Sequence, residues 1–329
     1  MPVSPITVLV ASYLEPALVE RIAASDPDLT VLYQPELLPV PQYRSDHGGR
    51  KPELTAGRKD EWAGLLARAD VAFDFDWERP ADLPRRAPKL RWIQATSAGI
   101  GGFVRRTGLD RSDIEFTTAA GIHAVPLAEF AVTGALHFIK GVPELKRRQK
   151  AHHWERYTTT RLAGRTVTVV GLGGMGRQVA ATFKALGTRV IEVTRDKNVD
   201  EFLPETDVLV LCCPLTPATE GLIGAAQLRL LPAGAVLVNI ARGPVVDEQA
   251  LIESLGEGHL AGAALDVFAV EPLPDASPLW DMDSVLVSPH SASTVDGENA
   301  ALTDLFLDNL RRYRAGEPLR NRYHRDRGY

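Results

Sequence analysis

Short apolar runs alternate with helix-like segments along this chain, a pattern typical of parallel α/β domains. In the first third, the pattern predicts strands over residues 6–10, 29–33, 71–75 and 90–94, and helices over 15–24 and 58–69. In the second half, near-continuous apolar runs predict strands over residues 166–170, 189–193, 207–211, 235–240, 262–265 and 284–287. Because strands that are buried on both faces have few polar positions, the second group indicates a sheet covered by helices on both sides.

Three further segments connect or follow these strands. Apolar residues predict a long helix over residues 124–140, and a last helical pattern ends at Gly316. The segment 34–57 is rich in proline, glycine and charge and predicts a long loop. Two interpretations of this loop are open: it lies in solvent, or it reaches a ligand site with Tyr43, Arg44 or His47.

Composition narrows the class of protein. The chain has 329 residues, enough for two domains, and a net charge of −5 without a long basic run, which does not indicate nucleic acid or anionic membrane partners. The adjacent Cys212 and Cys213 predict buried thiols in a reducing compartment. The N-terminus lacks a basic segment followed by an apolar one, and no apolar stretch is long enough to span a bilayer. We therefore predict a cytoplasmic protein.

A glycine-rich turn follows the strand at 166–170. Gly171 permits a tight turn, Gly173 allows a pyrophosphate to approach the backbone, and Gly176 allows the next helix to pack against the strand. The helix would direct its free N–H groups at the phosphates and end at Gly187. Such a motif alone is a weak signal, but its position between a strand and a helix predicts dinucleotide binding. The alternative is a turn with a purely structural role.

Three polar residues follow three late strands: Arg242, Glu271 and His290. Because the carboxyl ends of parallel strands share one edge, we expect these side chains on one rim. A guanidinium can bind a carboxylate with two hydrogen bonds, an imidazolium can protonate a carbonyl oxygen, and a neighbouring carboxylate favours the charged imidazole. Singly, they could be a surface arginine, a solvated charge and a helix cap. Together, behind a dinucleotide motif, they predict reduction of a 2-oxo acid.

From about residue 85 to its end, the chain resembles the D-isomer-specific 2-hydroxyacid dehydrogenase family, in particular members of the glyoxylate/hydroxypyruvate reductase type. The first eighty or so residues match only in general pattern. The stretches that carry the resemblance are 92–99, 171–176, 214–219, 238–243, 265–268, 271–274, 288–290 and 316–321.

The resemblance implies an architecture. It is an α/β fold with two parallel-sheet α/β domains, in which a Rossmann-type dinucleotide-binding domain is inserted into a discontinuous flavodoxin-like substrate domain. The expected bounds are 1–120 for the first part of the substrate domain, 121–292 for the dinucleotide-binding domain and 293–329 for the return to the substrate domain. The resemblance also implies a homodimer, which would form through the region 124–150.

The resemblance also implies residue roles. Arg242 would bind the substrate carboxylate, His290 would act as the acid/base with Glu271 as its partner, and the backbone of Ser97, Ala98 and Gly99 would hold the carboxylate. No metal is implied. The implied cofactor contacts are Gly171, Gly173, Gly174, Met175, Gly176, Thr194, Arg195, Cys213, Pro214, Ile240, Ala241, Asp266 and Ala292.

Three departures from the family pattern bear on these roles. Members that prefer NAD carry an acidic residue where this chain has Thr194, followed by Arg195, and an arginine without that carboxylate suits a 2′-phosphate. We therefore expect NADP(H), while NAD(H) is possible if Asp196 binds the ribose instead. The short segment 195–201 predicts a reduced third strand and helix. At Gly101, many members have an aspartate.

Taken together, these features predict a reductase that converts a small 2-oxo acid, such as glyoxylate or hydroxypyruvate, to a D-2-hydroxy acid. Aromatic and branched 2-oxo acids stay open as substrates. Two alternatives use the same fold: a nucleotide-sensing binding protein without catalysis, and a formate- or phosphite-type dehydrogenase.

Overall fold

The computed structural model describes residues 5–328, which form two compact units. The first unit extends to Ile122 and resumes at Thr294, and the second runs from His123 to Ser293. The assignment of substrate binding to the first unit and of cofactor binding to the second stays a prediction.

Strands and helices alternate through both units. The strands of the described residues are β1 (Ile6–Val10), β2 (Leu29–Leu32), β3 (Val71–Phe73), β4 (Trp92–Gln94), β5 (Glu115–Thr117), β6 (Thr166–Val170), β7 (Arg189–Val193), β8 (Val208–Leu211), β9 (Val236–Asn239), β10 (Gly262–Leu265) and β11 (Val285–Val287). The helices are α1 (Pro16–Ala23), α2 (Ala56–Arg68), α3 (Leu83–Arg86), α4 (Gly101–Arg106), α5 (Ala124–Ile139), α6 (Val142–Lys150), α7 (Gly174–Ala185), α8 (Ala225–Leu230), α9 (Glu248–Gly256) and α10 (Glu298–Ala315).

The first unit contains a parallel sheet of five strands in the order β2-β1-β3-β4-β5. Successive residues of β1 point to opposite faces, so that Leu9 packs in the core that includes Trp62 of α2, whereas Val8 packs in the core that includes Phe306 of α10. The Trp92 ring of β4 stacks on Phe306, with 5.4 Å between ring centroids. The last long helix therefore completes the core of the first unit.

The strand predicted over 71–75 ends two residues earlier than expected. Asp74 has a φ of 71°, in the left-handed region, which ends the extended conformation after Phe73. Its side chain consequently lies at the carboxyl end of β3, at the edge of the sheet.

The second unit contains a parallel sheet of six strands in the order β11-β10-β9-β8-β6-β7. Two short 3₁₀ turns, Val199–Glu201 and Leu203–Glu205, connect β7 to β8, and β8 returns to pair directly with β6. Within the described residues, no strand or α-helix is formed between β7 and β8, so the shortness of the segment 195–201 corresponds to a reduced crossover.

Small residues let α5 lie close to this sheet. A Cβ atom at Gly134 would be 2.4 Å from the Cβ of Ala264, and one at Gly262 would be 2.3 Å from the Phe138 ring. Among residues 5–328, no single helix has both the length and the apolar character needed to cross a membrane, although α5 and α6, bent by 60°, satisfy that test as a pair, by length and composition only.

Candidate active site

The carboxyl ends of three neighbouring strands bring the predicted catalytic residues to one edge of the second unit. Leu265 of β10 is in register with Asn239 of β9 and with Val287 of β11. Since the strands are parallel, the segments that follow them leave from the same edge, and these segments carry Arg242, Glu271 and His290.

Glu271 and His290 form a hydrogen-bonded pair. The Oε2 atom of Glu271 is 2.7 Å from Nδ1 of His290, and its Oε1 atom accepts a hydrogen bond of 3.0 Å from the backbone N–H of Phe268. Because a carboxylate only accepts, the histidine carries a proton on Nδ1, which leaves Nε2 to exchange a proton with a ligand. The side chains are 36% and 43% exposed, so both can be reached by a small molecule.

Asp266 holds the turn that carries the histidine. Its Oδ1 atom accepts hydrogen bonds from the Ser288 hydroxyl at 2.6 Å and from the Ala292 N–H at 2.9 Å. Burial raises the pKa of Asp266, while the donors from Ser288 and Ala292 act in the opposite direction. His290 itself has a φ of 55°. Asp266, which is predicted to contact the cofactor, thus also holds the residues on both sides of His290 in the chain.

Asn239 shapes the loop of Arg242. This residue is 1% exposed, its Nδ2 atom donates to the Arg242 carbonyl at 3.1 Å, and its Oδ1 atom accepts from the Ala241 N–H at 3.1 Å. The guanidinium is partly buried and donates to the Ala241 carbonyl at 2.6 Å. Asn239 enters the sequence analysis only within the matching stretch 238–243, although a polar residue at the end of an apolar strand is a signal that could identify it.

At Gly243, the loop that carries Arg242 packs closely against the loop that carries Glu271. A Cβ atom at this position would lie 1.8 Å from the carbonyl oxygen of Phe268, so only glycine permits this approach. Phe268 is also the residue whose N–H binds Glu271. A substitution of Gly243 would therefore displace Arg242 and Glu271 together.

The glycine turn has the shape that a pyrophosphate needs. Gly171 has a φ of 96°, and a Cβ atom there would lie 2.6 Å from Cα of Cys213; at Gly176 it would lie 1.8 Å from the Gly171 oxygen. Helix α7 begins at Gly174, and both Gly173 and Gly174 are exposed with nothing within 4 Å of their Cβ positions. The close contacts and the open space agree with the separate tasks of these glycines, and the free N–H groups of α7 fit a dinucleotide.

The other predicted cofactor residues lie near the carboxyl edge of the same sheet. Burial raises the pKa of the Cys213 thiol to about 11, so Cys213 is a neutral thiol at physiological pH. Pro214 is exposed, Ile240 and Ala241 are buried, and Met175 and Ala292 are partly buried. These placements leave their contacts with a cofactor a prediction.

The end of β7 carries both candidates for recognition of the ribose. Arg195 and Asp196 are exposed, and Thr194 is partly buried. A hydrogen bond from Thr194, with a smaller contribution from the positive charge of Arg195, lowers the pKa of Asp196. The Arg195 guanidinium, which would bind a 2′-phosphate, and the Asp196 carboxylate, which would bind the ribose, are therefore both exposed at the end of β7.

The predicted substrate loop follows β4 in the first unit. Ser97, Ala98 and Gly99 are exposed, and the Ser97 carbonyl accepts a hydrogen bond of 3.1 Å from the Ala119 N–H. At Gly101, a Cβ atom would be 2.1 Å from the carbonyl oxygen of Gly328. The contact with the chain's end explains why this position holds glycine.

Comparison with known proteins extends these observations. A family profile, described as D-isomer specific 2-hydroxyacid dehydrogenase, NAD binding domain, matches residues 132–292. A glyoxylate reductase from Pyrococcus horikoshii is 34% identical over 261 residues, which are 70% of this chain and 75% of that protein. A D-3-phosphoglycerate dehydrogenase from Mycobacterium tuberculosis is 34% identical over 277 residues, 77% of this chain but only 49% of that protein.

Solved structures agree over nearly the whole chain. A D-isomer specific 2-hydroxyacid dehydrogenase from Xanthobacter autotrophicus Py2, in complex with NADPH and MES, has a TM-score of 0.76 and 31% identity, covering 99% of this chain and 100% of that one. An NADPH-dependent glyoxylate/hydroxypyruvate reductase from Sinorhizobium meliloti has a TM-score of 0.77 and 28% identity, covering 98% and 100%. The predicted fold class is confirmed. The chain belongs to the D-isomer specific 2-hydroxyacid dehydrogenase family of NAD(P)-dependent oxidoreductases.

Proposed function

We propose that this enzyme reduces small 2-oxo acids to D-2-hydroxy acids and favours NADPH over NADH. The observation that carries the proposal is the hydrogen-bonded pair of Glu271 and His290, 2.7 Å apart, on the same sheet edge as Arg242. An acid/base pair on the same sheet edge as a guanidinium, which can bind an anion, suits a substrate that has both a carboxylate and a carbonyl group.

The chemistry follows from these side chains. Arg242 binds the substrate carboxylate and thereby orients the adjacent carbonyl carbon. His290, protonated at both ring nitrogens, donates its Nε2 proton to the carbonyl oxygen, and Glu271 stabilises the imidazolium before that transfer. A bound NAD(P)H supplies the hydride for the carbonyl carbon. In the reverse direction, neutral His290 takes up the proton of the hydroxyl group.

The substrate is expected to be glyoxylate or hydroxypyruvate, because relatives of both sequence and structure carry these substrates in their names. The test measures oxidation of the reduced cofactor with glyoxylate, hydroxypyruvate and phenylpyruvate as substrates. The rate is given by the decrease in the cofactor's near-ultraviolet absorbance. We expect the small acids to be reduced faster than phenylpyruvate. Cofactor binding without turnover of any 2-oxo acid would contradict the proposal and favour a nucleotide-sensing protein.

Preference for NADPH is tested by the substitution Thr194→Asp. A carboxylate at this position would repel a 2′-phosphate, so we expect kcat/KM with NADPH to fall about tenfold to a hundredfold, with NADH little affected. The neighbouring substitution Asp196→Asn is the matched control and should leave NADPH use intact. If Asp196→Asn weakens NADH binding and Thr194→Asp changes nothing, then Asp196 binds the ribose and the enzyme prefers NADH.

The proposed working form is a cytoplasmic homodimer. Residues 151–161 follow α6 without regular secondary structure and are mostly exposed, and Trp154 in this segment is 96% exposed. A large aromatic side chain of this exposure is typical of an interface residue in the free subunit. Sedimentation equilibrium measures the stoichiometry directly.

A further inference from the structure

The first unit has a ligand-binding position of its own by topology. The chain passes from β1 to β2 on one side and later places β3 on the other side, so the strand order reverses between β1 and β3. Ligands of open parallel sheets bind outside the carboxyl ends of the strands at such a reversal. Ser12 lies two residues after β1, and Asp74 directly follows β3.

Four polar side chains meet at this position: Ser12, His47, Asp74 and Thr96, here called the switch-point cluster. The Thr96 hydroxyl donates to Oδ2 of Asp74 at 3.1 Å, and the Ser12 oxygen is 3.0 Å from Nδ1 of His47. The Ser12 side chain also hydrogen-bonds to Asp74. Burial raises the pKa of Asp74, whereas His47 and the two hydroxyl donors lower it.

The cluster presents a hydrogen-bond acceptor, because an ionised carboxylate such as that of Asp74 has no proton to donate. Its Oδ2 atom accepts from the Thr96 hydroxyl, and its Oδ1 atom accepts from the backbone N–H of Phe75 at 2.9 Å. With the Ser12 side chain as a third partner, the two carboxylate oxygens still have room for a further donor, since together they offer about four acceptor positions. The cluster therefore suits a ligand that donates hydrogen bonds.

The segment that carries His47 packs on the first unit through Leu37 and Leu38, which are buried in the core that includes Trp62, and its own hydrogen bonds hold its shape. Backbone hydrogen bonds join Val40 and Arg50 in both directions, at 2.9 and 2.8 Å. The buried Asp46 accepts from the N–H groups of Gln42 and Gly49. The 34–57 segment thus holds His47 in place, whereas Tyr43 and Arg44 of the same segment are exposed.

The switch-point cluster includes the residue that directly precedes the predicted substrate loop. Thr96, which donates to Asp74, directly precedes the exposed Ser97. A molecule whose carboxylate is bound by the backbone of residues 97–99 would therefore have its other substituents close to Asp74.

We propose that Asp74, positioned by Thr96, Ser12 and His47, is a specificity-determining residue that accepts a hydrogen bond from a hydroxyl or ammonium group of the substrate. The inference rests on the proposed reduction of 2-oxo acids and adds the class of substrate, in which the group beyond the carbonyl is a hydrogen-bond donor. The same carboxylate repels a phosphorylated substrate, since two negative charges close together are unfavourable.

The experiment compares kcat/KM for pyruvate, 3-hydroxypyruvate, 3-phosphohydroxypyruvate and 2-oxo-5-guanidinopentanoate, which carry a methyl, a hydroxyl, a phosphate and a cationic group. We expect the wild-type enzyme to prefer 3-hydroxypyruvate to pyruvate by about tenfold to a hundredfold, the range for a hydrogen bond to a charged group. In Asp74→Asn this ratio should fall at least about threefold, and discrimination against phosphate should weaken. The guanidinium compound distinguishes a cation site from a hydroxyl site.

Asp70→Asn is the matched control, because Asp70 precedes β3 at the opposite end of the strand and accepts from the Thr7 N–H at 2.9 Å. It should not change the ratio. Asparagine tolerates the left-handed conformation of residue 74, and if Asp74→Asn still fails to fold, Thr96→Val should lower the same ratio. An unchanged ratio in whichever of these variants folds overturns the inference while leaving 2-oxo acid reduction intact. A wild-type enzyme that reduces glyoxylate but none of the four acids overturns the inference alone, whereas one that reduces neither glyoxylate nor any of the four overturns the proposed function as well.

Discussion

The substitution His290→Asn is expected to lower kcat for reduction of a 2-oxo acid by about a hundredfold to ten-thousandfold, the usual contribution of a positioned acid. Nε2 of His290 is the proton donor of the proposed mechanism, and asparagine cannot replace it. Asparagine does tolerate the φ of 55° at this position, so the turn between Ser288 and Ala292 should keep its shape. The measurement is steady-state turnover, with NADPH affinity determined by fluorescence titration.

Two comparisons make this result specific. NADPH affinity should stay within about threefold of the wild type, because acid/base chemistry contributes to the transition state rather than to cofactor binding. Glu271→Gln should give a smaller loss, since it removes the charge that stabilises the imidazolium but leaves His290 in place. A His290→Asn enzyme with wild-type turnover would refute the assignment of the acid.

The strand-end rule explains why the catalytic candidates could be predicted. Arg242, Glu271 and His290 each follow an apolar strand, so parallel topology alone brings them to one edge. The glycine turn at Gly171 is equally local, because its residues and the elements beside it lie within a short stretch of sequence. Local patterns of this kind were sufficient for the fold class and the family.

Contacts between distant residues could not be predicted in the same way. The bond between Ser12 and His47 joins residues 35 positions apart, and the one between Thr96 and Asp74 joins residues 22 positions apart. Neither pair has a fixed spacing that periodicity could detect. The need for glycine at Gly243 is likewise tertiary, because the atom that excludes a side chain belongs to Phe268.

Replacement of Arg242 by alanine is expected to lower kcat/KM for a 2-oxo acid by about a thousandfold or more, since a charged partner is removed from a partly desolvated anion. Arg242→Lys should recover only part of this loss, because an ammonium cannot make the two parallel hydrogen bonds of a guanidinium. Arg229→Ala, at an exposed position on α8, is the matched control and should leave kcat/KM unchanged.

Measurement of kcat and KM individually then shows which role Arg242 has. An arginine that only captures the carboxylate would raise KM and leave kcat unchanged, because it would bind the ground state and the transition state equally. An arginine that also orients the carbonyl for reduction would lower kcat as well, and this is the expected result. Its loop supports the second role: Asn239 and Ala241 hold the backbone on either side, so the guanidinium is positioned before a substrate arrives. Unchanged values of both constants in Arg242→Ala would exclude the residue from the site.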